Sequence, residues 1–315
     1  MSSSDDDNAA APARDTAALD ALRAKRVGIW TAVLDALPVA EAQAAAAELD
    51  ELGYGSLWFG EAYGREAFTN AALLLAAARS MVVATGIANV YGRDAVTASS
   101  AARTLQAAHP GRFVAGLGVS HGPIVERMRG HSYGKPVSTM REFLAGMDTA
   151  PYFASGGDPA PPRVLAALRP RMIELSASMA DGAHPYLTTP EHTRRTRELL
   201  GDGPILCVEQ AVAPVTDRDD AMARAHWHLE IYTGLPNYRG SWETQGFGEE
   251  DFVRGGSERL KEAMVAYGDD DAIAARVREH LDAGADHVMV QVLGADAFDV
   301  PRDAWRSLAP VLTAL

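Results

Sequence analysis

The chain has 315 residues and a formal net charge of −13, with 47% hydrophobic and 23% charged residues. This composition is normal for a globular protein with a substantial core, and the acidic balance disfavours nucleic acids and anionic membranes as partners. The single cysteine, Cys207, excludes an internal disulfide. No apolar run reaches the roughly 18 residues of a membrane-spanning helix.

The beginning of the chain is predicted to be a tail. Residues 1–8 contain three consecutive aspartates and no basic residue, which is not the pattern of a signal peptide. We expect residues 1–24 to be disordered and residues 25–315 to form one domain. A cytoplasmic location follows from the missing signal pattern, disulfides and membrane spans.

After the tail, short β-rich runs alternate with longer helical stretches rich in alanine and leucine. The predicted strands are 26–31, 56–60, 81–87, 112–118, 163–167, 182–186, 205–209 and 287–292. The predicted helices are 38–52, 69–79, 95–108, 138–147, 219–232, 271–283 and 302–315. Two irregular stretches, 122–162 and 234–256, follow the fourth and seventh strands. The pattern predicts a (β/α)8 TIM barrel with insertions after strands four and seven.

A doubly wound sheet is the alternative fold. It would need a glycine-rich turn after the first strand. The residues after Trp30 are Thr-Ala-Val-Leu-Asp, without glycine, which disfavours a Rossmann dinucleotide site.

The active site of a barrel forms at the C-terminal ends of its strands. This rule selects Trp30, Glu61, 86–91, 119–121, 168–171, His184, Tyr186, Glu209, Gln210 and Gln291. The sequence has no His-Glu-x-x-His motif, Walker loop or Gly-x-Ser-x-Gly elbow, and no strand ends in a lysine suited to a Schiff base. No metal site is predicted. A set rich in glycine, aromatic residues, histidine and arginine favours a bound cofactor that carries the chemistry.

A basic zone stands out in this acidic chain. Between residues 112 and 141 five cations face one acid, Glu126, and three arginines follow. The cations are Arg112, Arg127, Arg129, Lys135, Arg141, Arg163, Arg169 and Arg171. The zone predicts a site for a phosphate or carboxylate tail near the ends of strands four and five, with ion pairing to acids elsewhere as the alternative.

His121 and His184 lie at predicted strand ends and are candidates for functional or structural roles. Glu209, at the end of strand seven, is a candidate buried acid, with a satisfied structural acid as the alternative. Cys207 lies in an apolar run and is predicted to be a buried strand residue.

Several segments resemble the luciferase-like flavin oxidoreductases in order and spacing. Residues 53–61 (GYGSLWFGE) are similar to the family's second strand, 84–89 (ATGIAN) to its third, and 111–121 (GRFVAGLGVSH) to its fourth. Residues 180–183 and 283–288 resemble the openings of strands six and eight. Over residues 26–293 the chain thus resembles the luciferase-like monooxygenase superfamily, and more closely its coenzyme F420-dependent branch.

The resemblance implies an oxidoreductase that transfers a hydride between F420 and an unidentified small organic substrate. It also implies a non-proline cis peptide at Gly86–Ile87, beneath the central ring of the cofactor. The implied catalytic residues are Glu61, His121 and His184. The implied cofactor-binding residues are Gly86, Ile87, Ala88, Val119, Ser120, His121, Ala167, Leu168, Arg169, Arg171 and Met172.

Two positions depart from the family pattern. Ala62 stands where many members have a histidine, and Leu168-Arg169 replaces a Gly-Gly phosphate turn. Two other functions remain open on this fold, a reduced-FMN monooxygenase and a non-catalytic flavin- or deazaflavin-binding protein. The expected partner is a small molecule, and a homodimer is left open.

Overall fold

The computed structural model describes residues 13–296 and 299–315. Ten described strands form one sheet, which closes into a barrel. Their bounds are Val27–Trp30 (β1), Ser56–Phe59 (β2), Val82–Thr85 (β3), Ala88–Asn89 (β4), Phe113–Gly118 (β5), Arg163–Ala166 (β6), Gly182–His184 (β7), Ile205–Ala213 (β8), Val265–Tyr267 (β9) and His287–Val292 (β10). The parallel ring runs β1-β2-β3-β5-β6-β7-β8-β10, and β10 pairs with β1 to close it. The predicted (β/α)8 barrel is confirmed.

Helices surround the ring of strands. Within the described residues they are Ala17–Ala24 (α1), Val39–Glu51 (α2), Ala67–Ala77 (α3), Ala95–Ala108 (α4), Pro136–Asp148 (α5), Pro170–Met179 (α6), Pro190–Leu200 (α7), Arg218–Leu229 (α8), Pro236–Glu243 (α9), Glu258–Met264 (α10), Asp270–Asp282 (α11) and Arg302–Leu312 (α12). The helices α1, α6, α7, α9 and α10 are not among the predicted helices. None of these helices is long and apolar enough to cross a membrane.

The strands are buried on both faces, which is why the sequence shows apolar runs rather than alternation. One face of each strand packs against the helices, as Leu57 and Val83 do. The other face fills the barrel lumen, where Trp58, Ala84 and Met289 belong to a second apolar cluster. Residue parity along a strand therefore decides whether a side chain points to the lumen.

The N-terminal segment differs from the prediction. Residues 17–24 form the helix α1, so the predicted disorder up to residue 24 is wrong for this part. Ala18, Leu19 and Leu22 are buried, and the Leu22 carbonyl accepts a hydrogen bond from His287 Nδ1 at 3.1 Å. A short apolar face is enough to hold the helix against the barrel. Residues 1–12 of the predicted tail lie outside the described residues.

The two long connections follow β5 and β8. The first contains a short π-helical turn, Ile124–Met128, and α5. The second contains α8, α9, α10 and β9, which pairs with the last residues of β8. Residues 258–267, which form α10 and β9, were not assigned from the sequence. The strand β8 also extends to Ala213, so Glu209 lies within the strand and not at its end.

Candidate active site

The third barrel strand is interrupted at Gly86–Ile87. These two residues separate β3 from β4, and both strands pair with β5. The Gly86–Ile87 peptide is cis, as the resemblance implied. A Cβ on Gly86 would lie 2.6 Å from Trp30 Nε1 and 3.1 Å from His184 Nε2, so only glycine fits between these rings. Trp30 Nε1 also donates a hydrogen bond to the Gly86 carbonyl at 3.1 Å.

His184 lies in the lumen beside this interruption. Its side chain is buried, and Nδ1 lies 3.0 Å from the Cys207 carbonyl, which can only accept a hydrogen bond. The proton is therefore on Nδ1, and Nε2 carries the lone pair. Burial lowers the pKa of His184 to about 4 against the opposing effect of that carbonyl, so the ring is neutral at pH 7. Nε2 has no hydrogen-bond partner in the described part of the protein.

Glu61 occupies a different setting. One carboxylate oxygen accepts a hydrogen bond from the Asn89 amide at 2.8 Å, and the other is ion-paired with Arg93. Arg93 also donates to the Asn89 carbonyl and to Glu66. Both oxygens of Glu61 thus anchor the segment after β4. This geometry favours a structural role, and proton transfer by Glu61 stays a prediction.

The segment after β5 places Val119, Ser120 and His121 near the mouth of the barrel. Ser120 has a φ of 56°, and its carbonyl accepts a hydrogen bond from the Tyr133 hydroxyl at 3.2 Å. The His121 ring lies 5.7 Å from the ring of Tyr238 on α9. Burial lowers the pKa of His121, opposed by the Asn237 side chain. His121 Nδ1 is buried without a partner among the described residues.

The predicted phosphate segment follows β6. The side chain of Ala167 packs toward the helices, and the Leu168 carbonyl accepts a hydrogen bond from His192 Nε2 at 2.9 Å. Arg169 precedes α6 and is exposed, as is Arg171. Met172 is buried, and its amide already donates to the Arg169 carbonyl at 3.0 Å. Of these residues, Arg169 and Arg171 have exposed cationic side chains, and phosphate binding by them stays a prediction.

The basic zone divides between the two ends of the barrel. Arg112 lies just before β5 and donates to the Ala78 carbonyl at 2.8 Å. Arg163 begins β6, is buried, and forms an ion pair with Asp148 at 2.8 Å. Both are at the N-terminal ends of their strands, so their predicted contribution to a tail-binding site is wrong. Arg141, on α5, donates to Met179 Sδ.

The remaining cations lie on the connections that follow the C-terminal ends of β5 and β6. We call them the mouth cations: Arg127, Arg129, Lys135, Arg169 and Arg171. Within the described ranges none of them forms an ion pair. The Arg129 guanidinium packs against Gly92, and that of Arg169 packs against Gly240. A Cβ added at these glycines would lie 3.1 Å and 3.2 Å from the respective guanidinium groups.

An aromatic cluster closes the lumen above His184. Tyr186 lies 5.2 Å from Trp30, 5.6 Å from Tyr232 and 6.3 Å from Tyr238, measured between ring centroids. The Tyr232 hydroxyl donates to Tyr186 at 3.2 Å, and the Tyr186 hydroxyl donates to Gln291 Oε1 at 2.7 Å. Sequence reasoning selected Trp30, Tyr186 and Gln291 but missed Tyr232, which it placed in a helix.

Gln210 and Glu209 are neighbours in β8 but point to opposite faces. Gln210 Oε1 lies 2.8 Å from His280 Nε2, on the side of the helices, which removes Gln210 from the candidate site. Glu209 points into the lumen. Its Oε2 accepts a hydrogen bond from the Leu187 amide at 2.9 Å, and its Oε1 is buried without a partner in the described structure. Burial raises the pKa of Glu209 to about 8, opposed by the Leu187 amide.

The arrangement leaves buried polar atoms available to a ligand. Around the interruption of the third strand, several buried polar atoms have no partner within the described residues. They are Asn89 Nδ2, His121 Nδ1, His184 Nε2 and Glu209 Oε1. Unpaired buried polar atoms are uncommon in proteins, and their concentration at one end of the barrel indicates a ligand site.

Comparisons with known proteins find similar sequences and similar folds. The sequence model of the luciferase-like monooxygenases matches residues 23–287. An uncharacterised protein of Mycobacterium tuberculosis (strain H37Rv) is 27% identical over 307 aligned residues, which cover 80% of this chain and 89% of the relative.

Two solved structures share the barrel. An F420-dependent secondary alcohol dehydrogenase, in complex with an F420–acetone adduct, superimposes with a TM-score of 0.73 at 13% identity, covering 91% of this chain and 98% of that chain. A type II Baeyer–Villiger monooxygenase from the CAM plasmid of Pseudomonas putida, in complex with FMN, gives 0.69 at 14% identity, covering 92% and 96%. At these identities the likeness establishes the fold alone.

Proposed function

Because this chain belongs to the luciferase-like monooxygenase family, we propose that it binds coenzyme F420 at the C-terminal mouth of the barrel and transfers a hydride between F420 and a small organic substrate. The observation that carries the choice of F420 is the set of unpaired mouth cations. F420 ends in a phosphate followed by glutamate carboxylates, whereas FMN ends in one phosphate. Cations on two separate connections suit a tail with several negative groups.

The residues of the mouth divide into those that hold the ring and those that hold the tail. Gly86, Ile87 and Ala88 would support the ring, with polar contacts from the 119–121 segment. Arg169 and Arg171 would pair with the phosphate. When bound, F420 supplies a ring carbon, C5, that gives or takes a hydride. The protein supplies orientation and a water-poor, polar environment.

His184 can act in this site as a hydrogen-bond acceptor. Because Nδ1 is committed to the Cys207 carbonyl, Nε2 accepts hydrogen bonds and does not donate them. It faces Gly86, so it can orient a ligand hydroxyl or N–H next to the interruption of the third strand.

Reduced-FMN oxygenation is the second candidate. Arg169 and Arg171 at the start of α6 are sufficient for a single phosphate, and this observation supports FMN. The two candidates differ in the use of oxygen, because a deazaflavin does not readily activate it.

The test is a titration of the purified protein with F420 and with FMN, followed by cofactor fluorescence. We expect F420 to bind more tightly, and its affinity to fall with added salt because four of the five mouth cations are exposed. The double variant Arg169→Ala/Arg171→Ala should weaken F420 binding by about two- to thirty-fold, from roughly 0.2–1 kcal/mol for each exposed ion pair.

Arg194→Ala is the matched control. Arg194 is an exposed arginine on α7 that is already paired with Glu191 and Glu198, and its removal should leave F420 binding unchanged. Micromolar binding of FMN without binding of F420 would reverse the choice of cofactor. Binding of F420 without turnover of any substrate would favour the non-catalytic alternative.

A further inference from the structure

Glu209 is a buried acid that forms no ion pair with any residue of the described ranges 13–296 and 299–315. It projects from β8 into the lumen on the same face as Cys207 and Ala211, beside Met289 of β10. Only 1% of its surface is exposed. Oε2 is held by the Leu187 amide, and Oε1 has no hydrogen-bond partner in the part of the chain that the structure describes.

Other buried acids of the chain are compensated. Glu61 is paired with Arg93. Asp251, 2% exposed, is paired with Arg259 and accepts a hydrogen bond from Ser257 at 2.6 Å. These pairs follow the rule that a buried carboxylate requires a cation or several donors. Glu209 has one amide donor, so its carboxyl group is protonated at neutral pH.

The groups that face Glu209 are neutral. Tyr186, Tyr232 and Tyr238 lie close enough for the acid to contribute to the raised pKa of each phenol. His228 lies against Tyr186 and Tyr232 at 6.4 and 5.6 Å between ring centroids, and burial lowers its pKa to about 4. Among the described residues, the lining named here therefore contains aromatic surface, hydroxyls and an uncharged acid, and no cation that would bind an anionic substrate.

We propose that Glu209 is the acid–base residue of the site, and that the substrate is an uncharged carbonyl compound or the corresponding alcohol. The proposal rests on the proposed function. In the direction of reduction, the carbonyl carbon receives a hydride from a reduced deazaflavin, which is thereby oxidised by two electrons. The carbon–oxygen π electrons move to oxygen, which takes the proton of Glu209 and leaves a carboxylate. In the reverse direction the carboxylate takes the proton of the alcohol.

Aromatic rings lie near this acid. The charge of Glu209 contributes to the raised pKa of Tyr186, and the Tyr186 ring centroid lies 5.2 Å from that of Trp30. Because only 1% of Glu209 is exposed, a substrate has to displace lining side chains to reach Oε1. A displacement of Tyr186 should change the fluorescence of Trp30.

Glu209→Gln is the central variant. The amide keeps the shape of the side chain and an oxygen for the Leu187 amide, so the fold should persist, but it cannot give or take a proton. Infrared difference spectroscopy of the cofactor-free protein should show a protonated carboxyl band at pH 6 that disappears as the pH rises through about 8. The band should be absent from E209Q and present in the control D251N, because Asp251 is already ionised in its ion pair.

Turnover gives the second measurement. The holoenzyme is assayed with F420 and a panel of probes: cyclohexanone, benzaldehyde and their alcohols. We expect E209Q to lower kcat by about 10²- to 10⁴-fold while the Kd for F420 changes less than about two-fold. In the wild type, reduction should decline as the pH rises and Glu209 ionises, and this decline should be missing from E209Q.

The outcomes separate the two proposals. If F420 does not bind, the proposed function fails whatever the infrared result. If F420 binds and E209Q turns over at the wild-type rate, or the wild-type carboxyl is ionised at pH 6, then Glu209 is not the acid–base residue. If F420 binds but no probe reacts, the substrate class is wrong and the proposal falls with it.

Discussion

The two ends of the barrel lumen contain the same kind of residue in different states. At the N-terminal end, His287 lies 3.1 Å from the Leu22 carbonyl through Nδ1 and 2.6 Å from Ser56 Oγ through Nε2. At the C-terminal end, His184 Nδ1 lies 3.0 Å from the Cys207 carbonyl, and Nε2 has no hydrogen-bond partner in the described structure. Burial lowers the pKa of both rings to about 4.

This difference indicates which end of the lumen is suited to a ligand. A serine and a histidine at hydrogen-bond distance suggest a nucleophile, but Ser56 and His287 are fully buried under α1, and Trp58 Nε1 also donates to Ser56 at 2.9 Å. Every polar atom of that group has a partner, so it holds the barrel together. The C-terminal end leaves polar atoms without hydrogen-bond partners, at a cost of about 1–3 kcal/mol for each unsatisfied group. Residue type alone does not distinguish the two ends, whereas hydrogen-bond satisfaction does.

Leu22→Ala should have the largest effect and should act on stability alone. Leu22 is fully buried, and truncation of a buried leucine costs about 2–5 kcal/mol. We expect the free energy of unfolding, measured by urea denaturation, to fall by that amount while the Kd for F420 stays the same under conditions where the variant is folded. A loss of affinity without a loss of stability would contradict the assignment of this end as structural.

Ile87→Trp should show the opposite pattern at the other end. Ile87 is half-buried at the interrupted strand, and its side chain lies 2.5 Å from the position of a Cβ on Gly118. A larger ring does not fit there and must extend into the mouth. Overpacking of about 1–3 kcal/mol, if confined to the complex, weakens F420 binding by about five- to 150-fold. Unchanged affinity in a folded variant would place the cofactor ring elsewhere.

The pH dependence of the free energy of unfolding should show the smallest difference between the two ends of the lumen. Glu209 has a raised pKa of about 8 in the folded protein against an ordinary value of 4.5, so above pH 4.5 the unfolded chain binds fewer protons. Its contribution to the free energy of unfolding therefore decreases as the pH rises to about 8, by up to about 1.4 kcal/mol per unit. Below the ordinary value of 6.5, buried histidines such as His184 and His287 act with the opposite sign.

The measurement is urea denaturation from pH 6.5 to 8. Relative to E209Q, the wild type should lose stability over this range as Glu209 ionises. Parallel curves for the two proteins would show that the acid is not buried as an uncharged group. The buried histidines, whose unfolded forms still titrate near pH 6.5, contribute equally to both proteins and cancel in the comparison.

Much of the fold could be predicted because each barrel strand is an apolar run followed by a helical pattern. The strand β9 could not, since its three residues pair with the extended end of β8 and have little pattern of their own. The helix α1 was missed because eight residues with a narrow apolar face follow a polar stretch. In each case the stabilising contact is with a distant part of the chain.

The candidate site was predicted in location more than in chemistry. Strand polarity selected Gly86, His184 and Trp30 correctly as neighbours. The same rule could have removed Arg112 and Arg163, which begin their strands, from the tail-binding site. The pairing of Glu61 with Arg93 and the isolation of Glu209 depend on side-chain packing across the barrel, which no local pattern records.

The barrel closes by pairing segments that the ribosome synthesises at very different times. The strand β1 completes its pairing only with β10, and the carbonyl of Leu22 finds its donor 265 residues later in His287. A ribosome adds about 5–20 residues per second, so the first strand and helix leave the exit tunnel on the order of tens of seconds before their partners exist. During that interval an unpaired strand edge and an apolar helix face are open to solvent, and a chaperone that binds nascent chains would meet this segment first.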